Sequence, residues 1–419
     1  MMNRLVNLLN KSGLDGFIIN ATNREIYQLY FVKEKVETVR SGNFDEISVT
    51  VFVKHDGKLG DAKFNVSPSN SDEEILAQIA TGKENALAVF NPPYELIKNE
   101  KCEIPLEGKP LNEMANEIAE AIFSVKNKNG AKLNATEIFV NKLSKRIINS
   151  EGVDKSATLY KCMIETIPTF DLENESVEIY AQKNFSKFTK EEIKEYISNK
   201  LFEVEARAKA KKISLDKSMN VLIRDEEIIQ ILDSYVGELN YASLANDSNA
   251  LKVGDNIQKG EGDKITIRMK NHIPECSESA EFDEDGASFK EKVIIENGVV
   301  KDFYGGNRFA QYVNKECTGN LPLAEINTGK LTKESLKGET YLECLQFSGI
   351  QCDLLNDYLG GEVRLAILHK GDEEIPVCGF SISGRLSELM ANVRLSAKRT
   401  HNQYYSGPEY MYFEGFQVL

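Results

Sequence analysis

From Ile47 the apolar positions alternate: Ile47, Val49, Val51 and Val53 point one way and their neighbours the other. That period of two predicts a strand with one buried face. It belongs to "DEISVTVFVKHDGKLGDAKFNV" (45–66), where Asp56-Gly57 supplies a hairpin turn. The preceding "REIYQLYFVKEKVETVRSGN" (24–43) is equally β-prone. Before it, "MMNRLVNLLNKSGLDG" has the spacing of a short amphipathic helix ended near Gly13. After it the period changes. Ser71 and Glu74 form a capping box, and Ile75, Leu76 and Ile79 supply the apolar side of a helix.

The same two signals recur downstream. Leu111, Met114, Ile118, Ile122 and Val125 carry helical spacing up to a C-cap at Gly130. Strands follow in "TEIFVNKLSKRIINSEGVDKSATLYKCMIE" (136–165). A long helix begins at the capping box Thr189–Glu192, with Ile193, Ile197, Leu201 and Val204 on one face. Beyond Ser214 short strands and turns dominate, including the Asn297-Gly298 hairpin signal in "VIIENGVVKDFY". Four of the ten prolines (92, 93, 105 and 110) fall in "NPPYELIKNEKCEIPLEGKP", which suits a linker. The expected organisation is therefore an α+β fold. An N-terminal α+β domain covers 1–90, with antiparallel strands and packed helices. A proline-rich linker covers 91–110, a middle α+β domain 111–213 and a β-rich domain 214–419.

Composition narrows the function classes. The 419 residues suffice for two or three cores. A net charge of −14 argues against direct nucleic-acid contact, and the most basic run, "ARAKAKK" (206–212), fits a solvated helix end. No signal peptide or membrane span is expected. Seven cysteines, an odd number without a C-x-x-C pair, suit reduced thiols in the cytoplasm.

Candidate chemistry is sparse. The four histidines, His55, His272, His369 and His401, are far apart, so no helical histidine pair exists. His55 fits a solvated turn. His272 with Glu275 and Cys276 lacks a fourth metal ligand. His369, Cys344, Cys352 and Cys378 match no zinc-finger spacing. No G-x-S-x-G, Walker or dinucleotide motif is present. One helix-like stretch, "ILDSYVGELNYASL" (231–244), carries Asp233 and Glu238 about a Tyr-Val-Gly.

The ordered set "EKVETVRSGN", "NSEGVD", "VIIENGVVKDF", "TGN" and "CGFSISGRLSELMANV" resembles the TldD/PmbA family of zinc metallopeptidases and relatives, once called modulators of DNA gyrase. The resemblance implies a C-terminal domain of curved antiparallel sheet and dimers around a shared cavity. In the TldD branch a helix carries H-E-x-x-x-H, with a cysteine from a late loop. The TldE/PmbA branch lacks that motif and partners the catalytic subunit. Aligned on Val236 and Gly237, Asp233 and Glu238 occupy the histidine positions and Ser234 that of the general-base glutamate. A serine cannot take a proton from zinc-bound water near pH 7. No cysteine follows Cys378. The resemblance thus implies a non-catalytic TldE/PmbA-like subunit without metal. It would form a homodimer, or a heterodimer with a TldD-like chain, and hold a peptide or unfolded segment. One alternative is a peptidase with a rearranged metal site of Asp233, Glu238 and His401, which alone would call for zinc. Another is a protein-binding modulator of DNA gyrase.

Overall fold

The computed structural model describes residues 1–126 and 130–419, and the fold is α+β with a strand-rich C-terminal region. The alternating valines do what their period requires. Strand Lys35–His55 pairs with Gly16–Val32 on one side and Lys58–Val66 on the other. Val49 and Val51 lose all exposure beneath helices Met2–Asn10 and Asp72–Ala86. Asp56 and Gly57 both take positive φ (47° and 69°), as does the Asn297-Gly298 turn (50° and 76°); this twist joins two antiparallel strands through two residues. The Ser71–Glu74 capping box is made in both directions. Leu76 departs from expectation: it is exposed, because the helix presents Ile75, Ile79, Gly82 and Ala86 to the sheet.

Strand Gly16–Val32 pairs on its other edge with Ala131–Asn149, which pairs with Asp154–Asp171. The strands before and after the proline-rich stretch therefore share one eight-stranded sheet. That stretch adds a strand of its own, Lys101–Ile104, at the sheet edge, where nearby prolines cost no ladder bonds. Helices Leu111–Phe123 and Lys190–Lys209 cover the far end through Ile118, Ile122, Ile193, Ile197, Leu201 and Val204. The C-cap expected at Gly130 falls instead at Ser124, because the first of these helices ends at Phe123; residues 127–129 lie outside the described residues.

The C-terminal region holds two sheets. One runs Val299–Val300, Lys292–Glu296, Ile267–Lys270, Leu323–Ile326, Tyr405–Pro408, Arg399–His401. In the other, Thr340–Asp353, Ser218–Arg224, Tyr410–Val418, Phe380–Arg385 and Tyr358–Lys370 pair in turn, and the last pairs back to the first. The ring is closed and includes strands longer than the sequence suggested. Helix Asp225–Glu238 lies across it. Ile228, Ile231, Leu232, Tyr235 and Leu239 recur at helical spacing and sink into a core shared by both sheets. Among the described residues no helix is long and apolar enough to cross a membrane.

Candidate functional site

The buried stripe of helix Asp225–Glu238 fixes where its polar residues point. At 3.6 residues per turn, positions five apart diverge by about 140° around the axis. Asp233 and Glu238 therefore face different surroundings. Asp233 Oδ2 accepts a 2.9 Å hydrogen bond from the hydroxyl of Tyr404, in the loop before the final strands. The Asp233 carboxylate is open to solvent on one side and walled by protein on the other. The walls raise its pKa, and the Tyr404 hydroxyl pulls it back only in part. Burial and the facing Asp233 charge push the Tyr404 phenol up in turn. Ser234 Oγ donates to the Cys352 carbonyl on the ring at 3.1 Å. Glu238 turns the other way and accepts the backbone N–H of Ala250.

These groups do not fit a zinc site. A metal needs about three converging donors, and among the described residues no three His, Cys, Asp or Glu side chains converge in that way. The trio Asp233, Glu238 and His401 is not assembled, because Glu238 is held at residue 250 and His401 lines a different cavity. His272, Glu275 and Cys276 are also split. His272 Nδ1 lies 3.2 Å from Glu281, and burial pushes the Cys276 thiol up to about 12. His55 Nε2 is 2.9 Å from the Val89 carbonyl.

Beside the helix lies a cavity of about 480 Å³, walled by strand Ala181–Phe185, helix Lys190–Lys209, the start of helix Asp225–Glu238 and residues 398–404. Tyr404 belongs to its wall and joins it to Asp233. Its floor carries the start of a charge chain in which Lys200, Glu203 and Glu343 are buried. Lys200 Nζ lies 3.1 Å from Glu203 and 3.3 Å from Glu226. Arg224, the residue before the helix, reaches Glu203 at 3.5 Å and Glu343 at 3.8 Å. Lys333 and His369 Nε2 approach Glu343 at 2.7 and 3.1 Å. Burial alone would raise the Glu343 carboxyl; His369, Lys333 and Arg224 outweigh it and hold it at about 2. Burial dominates at Glu203, whose carboxyl is raised despite Lys200 and Arg224.

Residues 216–419 match the family described as "PmbA/TldA metallopeptidase C-terminal domain". Over those residues the chain belongs to the TldD/PmbA family. No curated protein matches it. Solved structures match over essentially the whole length. TldE from Thermococcus kodakarensis superposes with a TM-score of 0.79 at 17% identity, covering 100% of this chain and 99% of that one. A candidate modulator of a DNA gyrase from Thermotoga maritima gives 0.74 at 16% identity, covering 100% and 99%. Another from Bacteroides thetaiotaomicron gives 0.80 at 14%, covering 99% and 97%.

Two parts of this TldD/PmbA-type site escaped the sequence. Tyr404 stands in "THNQYYSGPEY" with no pattern to set it apart from Tyr405, which is buried. Lys200 and Glu203 sit beside the apolar stripe of their helix, where exposed charge is the usual expectation. Their partners Arg224 and Glu226 arrive from the end of strand Ser218–Arg224 and the start of the helix after it.

Proposed function

We propose that this chain is a cytoplasmic TldD/PmbA-family subunit that supports peptide binding in a dimer and does not itself hydrolyse peptides. The carrying observation is how the degenerate motif is spent. Ser234 donates to a backbone carbonyl, Glu238 accepts a backbone amide and Asp233 is bound by Tyr404. Only Asp233 keeps an open carboxylate face, and alone it does not supply the three converging donors of a zinc site with a base beside its water. The partner would be a second copy or a TldD-like chain, with the cavity beside Tyr404 near the shared space. A peptidase with a rearranged metal site is disfavoured by the divergence of Asp233 and Glu238. Action on DNA gyrase, suggested by the descriptions of two structural neighbours, would run through protein contact, since the net charge is −14.

The test is direct. Purified protein dialysed against a weak chelator should hold well under one zinc per chain and leave unstructured peptides intact after zinc is added back. Light scattering should report about twice the 47.0 kDa chain mass. Stoichiometric zinc with peptide cleavage would overturn the non-hydrolytic reading, and a monomer at every concentration would overturn the dimer.

A further inference from the structure

Lys145, half-buried on strand Ala131–Asn149, lines a cleft of about 830 Å³ together with strands Gly16–Val32, Lys35–His55 and Lys58–Val66 and residues 282–284. The cleft shares no lining residue with the cavity beside Tyr404. The cations around Lys145 are matched: Lys142 by Glu25 at 2.8 Å, Lys161 by Glu278 at 2.6 Å, Arg146 by Asp154 at 2.9 Å and Arg24 by Glu46 at 3.6 Å. Lys145 itself makes no hydrogen bond or ion pair among the described residues.

The strand register explains why. Thr22 and Ala157 stand opposite Lys145 on the neighbouring strands, and Leu143 and Ile147 flank it on the same face. Leu143, Ile147 and Ala157 are buried, so three of these four neighbours are apolar and none is a carboxylate. That burial lowers the Lys145 pKa; Lys161 and Arg24 push the same way, and Glu278 and Glu284 oppose them without contact. A lysine so placed holds more of its amine neutral, and the neutral amine is the nucleophile. Polar groups stand close by on the same face. Thr22 is beside Lys145, and Ser48 lies between Asn20 and Asn65 in the next row of the sheet.

We propose that Lys145 is a nucleophilic amine and a covalent modification site, taking small hydroxy-aldehydes from this cleft as imines. The Nζ lone pair attacks the carbonyl carbon, and an N–C bond forms. The carbonyl oxygen leaves as water with the two protons of the amine, and a C=N bond remains. Amine plus aldehyde gives imine plus water, so no oxidant or reductant is consumed. The hydroxyl of the aldehyde is met by Thr22 and Ser48, which line the same cleft.

The probe is glycolaldehyde with cyanoborohydride, which reduces the imine to a stable secondary amine that peptide mapping locates. At pH 7 and low conversion, Lys145 of the full chain should be labelled about fivefold faster than the exposed Lys63 of the same cleft. In urea the two should be labelled alike, since the advantage belongs to the fold. Acetaldehyde, which lacks the hydroxyl, should lower the ratio of Lys145 to Lys63 labelling about threefold, the scale of one hydrogen bond. Thr22→Glu sets a carboxylate opposite Lys145 and should cancel the advantage, with a melting curve to establish that the variant is folded. Labelling of Lys145 no faster than that of Lys63 in the native chain overturns the proposal whatever the variant does. So does an advantage that survives urea, or a folded Thr22→Glu protein that keeps it. Equal ratios for the two aldehydes overturn the hydroxy-aldehyde as the ligand class.

Discussion

Glu343→Gln tests the charge chain beneath the site. The residue is 5% exposed and its carboxyl is held at about 2 against an ordinary 4.5. At about 1.4 kcal/mol per pH unit, that displacement makes the ionised form worth about 3 kcal/mol of stability at pH 7. Removing one member of a buried pair gives the same scale, about 3–5 kcal/mol, because Arg224 and Lys333 would then face a neutral group. The sign follows from the direction. A depressed carboxylate stabilises above its ordinary pKa, and the gain is lost as pH falls from 4.5 towards about 2. The gap between parent and variant should therefore be about 3 kcal/mol at pH 7 and shrink to about 1 kcal/mol at pH 3. Unfolding entropy of about 2.1 cal/mol/K per residue over 419 residues converts 3 kcal/mol into about 3 °C in Tm. The shift would be about twice that if the C-terminal half melts alone. Urea titrations at the two pH values, with calorimetry at pH 7, make the measurement. A gap under about 1 kcal/mol at pH 7, or one that does not narrow at pH 3, would refute the account of Glu343 as a charge held down by the His369 hydrogen bond and by Lys333 and Arg224.

Asp233→Asn with Glu238→Gln preserves both acceptors and should change stability by no more than about 1 kcal/mol; a parent that gains several degrees from zinc or manganese, when the double variant does not, would contradict this. Asp285 runs opposite to Glu343, since burial, then Asp283 and Glu284, raise its carboxyl from 3.8 to about 6. Its contribution is full below 3.8 and lost as pH rises through 6, so Asp285→Asn should stabilise by up to about 3 kcal/mol at pH 7 and by little at pH 4. Burial raises the thiols of Cys162 and Cys276 to about 12. A disulfide reagent at pH 8 should therefore label neither in the native protein, and labelling of Cys276 as fast as in urea would show that its site opens.

What the sequence revealed was local. The capping boxes at Ser71 and Thr189, the valine alternation from Ile47 and the stripe Ile193, Ile197, Leu201, Val204 each depend on residues a few positions apart. Leu76 failed because periodicity gives a stripe and the neighbouring sheet chooses its centre. Closure of the ring was not legible. Ser218–Arg224 and Thr340–Asp353 pair in parallel across more than a hundred residues, and no local pattern specifies that register. The candidate helix was legible as a helix, and its carboxylates as unusual. Their divergence and the Tyr404 contact depend on which side of the helix the core takes.

That choice of side bears on what residues 233, 234 and 238 do in this chain. The helix is held by Ile228, Ile231, Leu232, Tyr235 and Leu239, all buried, and none occupies a position aligned with a metal ligand or general base. Chemistry and anchorage lie on different faces, so residues at 233, 234 and 238 can change without opening the core. The replacements are not idle. Ser234 ties the helix to the ring at Cys352, Glu238 fixes the chain at Ala250, and Asp233 holds the late loop through Tyr404. That loop includes His401 and Asn402, which face the cavity. In this chain Asp233, Ser234 and Glu238 act as a brace: from one turn and a half of helix they tie the ring, residue 250 and one wall of a cavity together.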